Sequence, residues 1–112
     1  MPICHILSLS DWKKAREEGS YQPPSLQQEG FIHFSTPQQV IKTANRFYAQ
    51  QTDLCLLLVD ENQLVAELRF ENTEGVQEAF PHLYGPLNLE SVLDIQPLTL
   101  DPQGSFQYPP AW

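Results

Sequence analysis

Two short stretches of the chain carry matched chemistry. In Gly30-Phe31-Ile32-His33-Phe34-Ser35-Thr36-Pro37 an extended backbone sends Ile32 and Phe34 to one face and Phe31, His33 and Ser35 to the other. In Phe80-Pro81-His82-Leu83-Tyr84 the same alternation puts Phe80, His82 and Tyr84 on one face, opposite Pro81 and Leu83. Each stretch thus sets an aromatic ring, a histidine and a hydroxyl at i, i+2 and i+4. An imidazole beside a hydroxyl is what a ligand-orienting or proton-transferring pair needs. Together with His5, this makes His33, His82 and His5 the candidate catalytic residues. The plainer alternative is that each histidine ties its strand to a backbone carbonyl.

The first stretch also predicts a helix start. Thr36 reads as its N-cap, Pro37 as its first residue and Gln39 as the reciprocal member of a capping box. Ser35 is then left free beside His33, next to unpaired N–H groups, and Ser35 with Thr36 is expected to hold an anion such as phosphate or carboxylate. Tyr21 and Tyr84 are candidates for stacking on a ligand ring, and Glu71 for a catalytic or binding carboxylate; the competing readings are core aromatics and a solvated acid. Three histidines could hold zinc with an open fourth position, but their wide spacing lacks the close pair that zinc motifs carry, so no metal ligands are assigned. Gly-x-Ser-x-Gly is absent around Ser35, and neither a Gly-x-Gly-x-x-Gly loop nor a Walker-type lysine occurs. A nucleotide would be held by some other device.

The elements that must position these residues follow from periodicity and punctuation. Pro2 to Ser8 reads as a strand with Ile3, His5 and Leu7 on one face, and Asp11 to Glu18 as a short helix capped by Ser10 and ended by Gly19. Gly19 to Glu29 shows no sustained period and reads as a loop bordering the site. Pro37 to Gln50 has a helical apolar face of Val40, Ile41, Ala44, Phe47 and Tyr48. The unbroken apolar run within Asp53 to Asp60 suits a central strand, whereas Val65 to Glu71 alternates and suits an edge. Asn88 is expected to cap a turn over Leu89 to Val92, and Leu93 to Leu100 to form a last strand. Phe106, Tyr108 and Trp112 predict a tail that packs.

At 112 residues the chain suits one domain, 1–112, with one core. Fourteen Asp and Glu against six Lys and Arg give a formal charge of −8, which excludes broad phosphate-backbone binding. The apolar run from Leu54 to Val59 is too short to cross a bilayer and the N-terminus lacks a secretory pattern, so no membrane partner and a cytoplasmic location are expected. Cys4 and Cys55 fall in strands and read as buried thiols.

The order Ile3-Cys4-His5-Ile6, Trp12, Gly30 to Gln39, the Leu-rich strand ending in Val59-Asp60, Glu71, and Phe80-Pro81-His82-Leu83-Tyr84-Gly85-Pro86-Leu87 resembles the small bacterial and plant family called domain of unknown function 952. A more distant resemblance is to the ADP-ribosyltransferase-like superfamily, above all RNA 2′-phosphotransferases, whose motif order is matched by Ile32-His33-Phe34-Ser35 and Val59-Asp60. That resemblance implies NAD bound in the cleft of a small split β-sandwich, with His5 as the first-strand residue and His33 as the second-motif histidine. Arg16, Arg46 and Arg69 lie in no motif matching the arginines of those enzymes.

The resulting expectation is an α+β fold of mostly antiparallel strands with two main helices, ADP-ribosyltransferase-like, around a cleft lined by His5, His33, Ser35, His82 and Tyr84. The cleft would take NAD or a related nucleotide or phosphate ligand, with a transferase reaction if the protein is an enzyme. The alternatives are a non-catalytic binding or scaffold module with structural histidines, and a histidine-based metal-dependent hydrolase. His33 and His82 are expected to matter little for stability, and His5 to matter more.

Overall fold

A computed structural model describes residues 2–72 and 78–112 of the chain. Its framework is the pairing of β1 (Pro2–Ser8) with the apolar run, which forms β4 (Leu54–Asp60). The two run antiparallel over their full length, Pro2 opposite Asp60 and Ser8 opposite Leu54. β8 (Val92–Pro97) joins the other side of β4, which is therefore central and buried on both faces, as its unbroken run predicts. Alternation along β1 and β4 separates two cores. Ile3, Leu7, Cys55, Leu57 and Val59 pack to one side, and Cys4, Ile6, Leu54 and Leu56 to the other.

A second three-stranded antiparallel sheet has the order β3, β6, β5, with β3 at Ile32–His33, β6 at Phe80–Tyr84 and β5 at Glu67–Glu71. Ile32 and Leu83 are fully buried and Phe34 nearly so, closing the first core from this sheet's inner face. β5 lies at the edge, as its alternating pattern predicts. Reciprocal backbone bonds between Cys4 and Ser35, at 2.7 and 2.8 Å, fasten this second sheet to the free side of β1. A two-residue pair, β2 (Ser20–Tyr21) with β7 (Leu87–Asn88), completes the strands. The fold is α+β with antiparallel sheets.

Three helices are present among the described residues, not two. α1 (Leu9–Glu18) starts earlier than expected because Ser8, rather than Ser10, accepts the N–H of Asp11 at 3.1 Å. α2 (Pro24–Glu29) occupies the segment read as a loop. It is too short to show a period, but both end signals are in the sequence: Pro24 inside the start, and Gly30 just past the end in the left-handed conformation at φ 89°. α3 (Val40–Phe47) begins after a turn over residues 37–39, so Pro37 is not its first residue. Half of the capping box is realised, because Gln39 Oε1 accepts the N–H of Thr36 at 3.0 Å, and no side chain caps Val40 in return. The helix stops short of Gln50, whose φ of 68° cannot continue it. Asn88 does not cap the 3-10 turn Leu89–Ser91; its side chain instead accepts from Val65 N–H and donates to the Gln63 carbonyl. The tail packs as expected: Phe106 is buried, and Trp112 donates its indole N–H to Asp94 at 2.8 Å. Among the described residues no helix is long and apolar enough to cross a membrane.

The end of β6 is set by a close approach. A β-carbon on Gly85 would stand 2.7 Å from Cβ of Ala66, a short side chain that cannot swing aside. Gly85→Ala is expected to cost about 1–3 kcal/mol of stability, measured by urea unfolding, and Ala66→Gly in the same chain to recover part of that loss. A cost near zero would show that the 64–66 segment yields.

Candidate functional site

The outer face of the β3-β6-β5 sheet gathers the residues that the alternation singled out. His33 is the direct cross-strand partner of His82, and Arg69 stands opposite His82 from the other side. The two imidazoles are edge to face with centroids 5.4 Å apart. Phe31 lies almost flat on His82, 4.1 Å between centroids and 18° between planes, and meets His33 and Tyr84 at 4.8 and 5.3 Å. The shared face predicted for the two histidines is therefore present, with Phe31 packed against both.

His82, only 3% exposed, is oriented by a carboxylate. Its Nδ1 lies 3.0 Å from Glu71 Oε1, and Tyr84 donates its hydroxyl to the same oxygen at 2.5 Å. The hydrogen bond from Tyr84, then that from His82, holds the Glu71 carboxyl below its usual range. An ionised carboxylate only accepts, so Nδ1 carries a proton, and in the neutral form of the ring the lone pair sits on Nε2. No described residue bonds Nε2, and no side-chain nitrogen or oxygen shut off from solvent lacks a partner among the described residues. Nε2 therefore keeps some access to solvent, and His82 is among the residues that line the cleft. Tyr84 reaches the site only through Glu71, and its ring is covered by the Arg69 guanidinium at 4.5 Å.

His5 is placed differently. Its Nδ1–H donates to the His33 carbonyl at 2.6 Å, and Tyr21 donates its hydroxyl to Nε2 at 2.8 Å. Both ring nitrogens are occupied, which fixes the tautomer and leaves nothing to exchange a proton with a ligand. Burial lowers the His5 pKa from 6.5 to about 4 and raises that of the Tyr21 hydroxyl. The geometry thus assigns His5 and Tyr21 a structural role in place of a catalytic and a ring-stacking one. His33 is more open: Nε2 pairs with Glu29 at 2.9 Å, and both side chains are substantially exposed.

A cavity of about 580 Å³ borders these groups, a size suited to a small-molecule ligand. His5, His33, His82, Ser35, Tyr21 and Glu71 line it, facing Thr43, Phe47 and Tyr48 from α3 and its end. Ser35 directs its hydroxyl toward Thr43 at 3.5 Å. Thr36 is not brought to this cleft: with Pro37 and Gln38 it borders a separate recess next to Phe70. The anion site expected from Ser35 and Thr36 together is thereby split, because α3 starts beyond the turn and its N-terminus does not border the cleft. Among the described residues no group of three or more His, Cys, Asp or Glu is placed to hold a metal ion. Cys4 and Cys55 are buried, with thiol pKa values raised by burial to about 12 and about 11. Sequence reasoning missed Glu29, which sits on the undetected helix, and Phe47, whose helical spacing reads equally well as core, whereas Phe31 falls on the face to which its alternation assigned it.

His5 gives the fold a pH signature. Its native pKa lies below its unfolded one, so the unfolded chain takes up a proton that the native state refuses. Stability from this source is complete above about pH 6.5 and declines toward pH 4, by up to about 3 kcal/mol. Glu71, also lowered, loses its contribution only at more acid pH, below its ordinary value of 4.5. Urea unfolding from pH 7 to 4 is expected to show this slope, and His5→Asn to flatten it above pH 4.5; an unchanged slope in the variant would assign it to other groups.

Known proteins share this architecture. The profile of the family described as "Protein of unknown function (DUF952)" matches residues 6–95. The crystal structure of protein CC0527 from Caulobacter crescentus superposes with a TM-score of 0.86 at 34% identity, covering 96% of this chain and 94% of that one. The solution structure of CC0527 gives a TM-score of 0.83 at 34% identity, covering 95% and 91%. No curated protein matches the chain. With four-fifths of its length inside the family profile and a like-sized relative a third identical, the chain belongs to the family of unknown function 952.

Proposed function

We propose that the cleft binds a small, ring-bearing molecule of the nucleoside class and that His82 is its proton-transfer centre. The observation that carries this reading is the Tyr84-Glu71-His82 chain: a buried imidazole, oriented by an ionised carboxylate that a tyrosine holds in place, presents a bare Nε2 to a ligand-sized space. In this role Nε2 takes a proton from a ligand N–H or O–H, and Glu71 stabilises the imidazolium that results. His33, 5.4 Å away, is positioned to return a proton to the departing or altered group. Phe47 and Phe80 offer apolar wall for a flat ring.

The ADP-ribosyltransferase-like resemblance brings NAD into consideration, and the cleft suits it only in part. The rings find aromatic surface. The diphosphate finds no cation, since none of the six Lys and Arg lines the cavity. Two helix N-termini border it: that of α1 is capped by Ser8 and carries Asp11, whose charge opposes an anion, and that of the short α2 opens on Pro23 and Pro24, which have no N–H to offer. These residues therefore do not account for a transfer on NAD. The scaffold alternative draws its support from His5, both of whose nitrogens serve the fold.

Adenosine and nicotinamide are expected to raise the melting temperature, and NAD and ADP-ribose to add nothing beyond their rings, because a ligand bound only by the native state stabilises it. His82→Asn should keep the Glu71 bond through its amide and retain ring binding, while any turnover falls by about 10²- to 10⁴-fold. Failure of all four compounds to shift melting would favour the scaffold. His82→Ala is a poor test, because His82 is buried and stacked on Phe31 and its truncation would open a cavity.

A further inference from the structure

Among the hydroxyls, amides and imidazoles that line the cleft, the formally charged groups are carboxylates. His82 is 3% exposed, and its Nε2 has no partner among the described residues. Glu71 offers one oxygen to both of its donors, and Oε2 carries no hydrogen bond from a described residue. The hydrogen bonds that hold Glu71 ionised keep this second oxygen negative. Asp11, in the first turn of α1, adds another carboxylate at the lining. No Lys or Arg opposes them among the lining residues. Arg69, the nearest across the strands, is engaged with Glu67 at 2.8 and 3.1 Å, and Arg46 covers the Phe47 ring at 5.0 Å. A ligand phosphate or carboxylate would meet these acceptors without a countercharge. A protonated nitrogen would satisfy them, and the aromatic wall adds to its attraction.

Building on the reading of the cleft as a ligand site, we propose that it selects a cationic, N–H-rich head group, an amidinium or protonated amine on a flat apolar body. The head donates to Glu71 Oε2 and His82 Nε2, and the body lies against Phe47 and Phe80. Phe47 is 54% exposed although apolar, as a residue at the mouth of such a site would be.

The test is an isosteric series, benzamidine, benzamide and benzoate, titrated calorimetrically into the full chain at pH 7.5. Benzamidine should bind at least about tenfold tighter than benzamide, and benzoate more weakly than either. Glu71→Gln should bring the benzamidine and benzamide affinities to within about twofold of each other. If that variant does not fold, Asp11→Asn on the exposed helix face should lower the benzamidine preference by roughly two- to fivefold. Benzoate binding as well as benzamidine would overturn the charge assignment and leave the ligand site standing. Binding of none of the three would remove both.

Discussion

A neutral imidazole buried between strands holds the architecture around the cleft together. His5 stands on the central strand pair, yet its two hydrogen bonds reach elsewhere, to the backbone of β3 at His33 and to the Tyr21 hydroxyl on β2. These contacts span 28 and 16 residues of sequence and tie together strands of three sheets. Burying a polar ring costs free energy unless both nitrogens are bonded, so the cost is offset only when all three strands are in place. That makes the junction cooperative. It also fixes the carbonyl of His33 and hence the place where the outer-face imidazoles begin.

From that junction the second sheet serves two environments through strand parity alone. Ile32, Phe34 and Leu83 enter the core, and the residues between them turn outward. A shift of one residue in the pairing of β3 with β6 would exchange the two sets, so burial of Ile32 and Leu83 specifies the site register as firmly as it specifies the core. The Cys4–Ser35 backbone bridge then pins the end of the segment against β1. The cleft needs no dedicated loop scaffold: its catalytic candidates lie on paired strands, where position is set to within the tolerance of the ladder.

Much of this was legible because period and chemistry coincided. The alternation at Phe31 to Ser35 and Phe80 to Tyr84 named the site face, and the unbroken apolar run named the central strand. What was hidden depends on contacts that no local pattern encodes. His5 looks like His33 and His82 in sequence; only the register of β1 against its neighbours reveals that its nitrogens are consumed. Glu71 looks like any of fourteen acids until His82 and Tyr84 arrive from a strand, eleven and thirteen residues on. α2 escaped because six residues cannot display a helical period, and Pro24 with Gly30 were the only signs it left. At Thr36 the capping box is half formed: Gln39 accepts the Thr36 N–H and also donates to the Ala79 carbonyl at 2.9 Å, a tertiary bond that no local pattern encodes.

The scarcity of cations along the chain extends to the lining of the cleft. With a formal charge of −8, few Lys or Arg are available, and those nearest the cleft are tied to Glu67 or to aromatic faces. Inside a cavity with apolar walls, charge is poorly screened, so an ionised carboxylate at its edge sets the local potential more strongly than the same group would on the surface. Tyr84 adds to this. By donating to Glu71 it favours the charged form of the carboxyl, and by taking the same oxygen as His82 it leaves the second oxygen without a bond from a described residue. The hydroxyl thus acts on a cleft that it does not itself line.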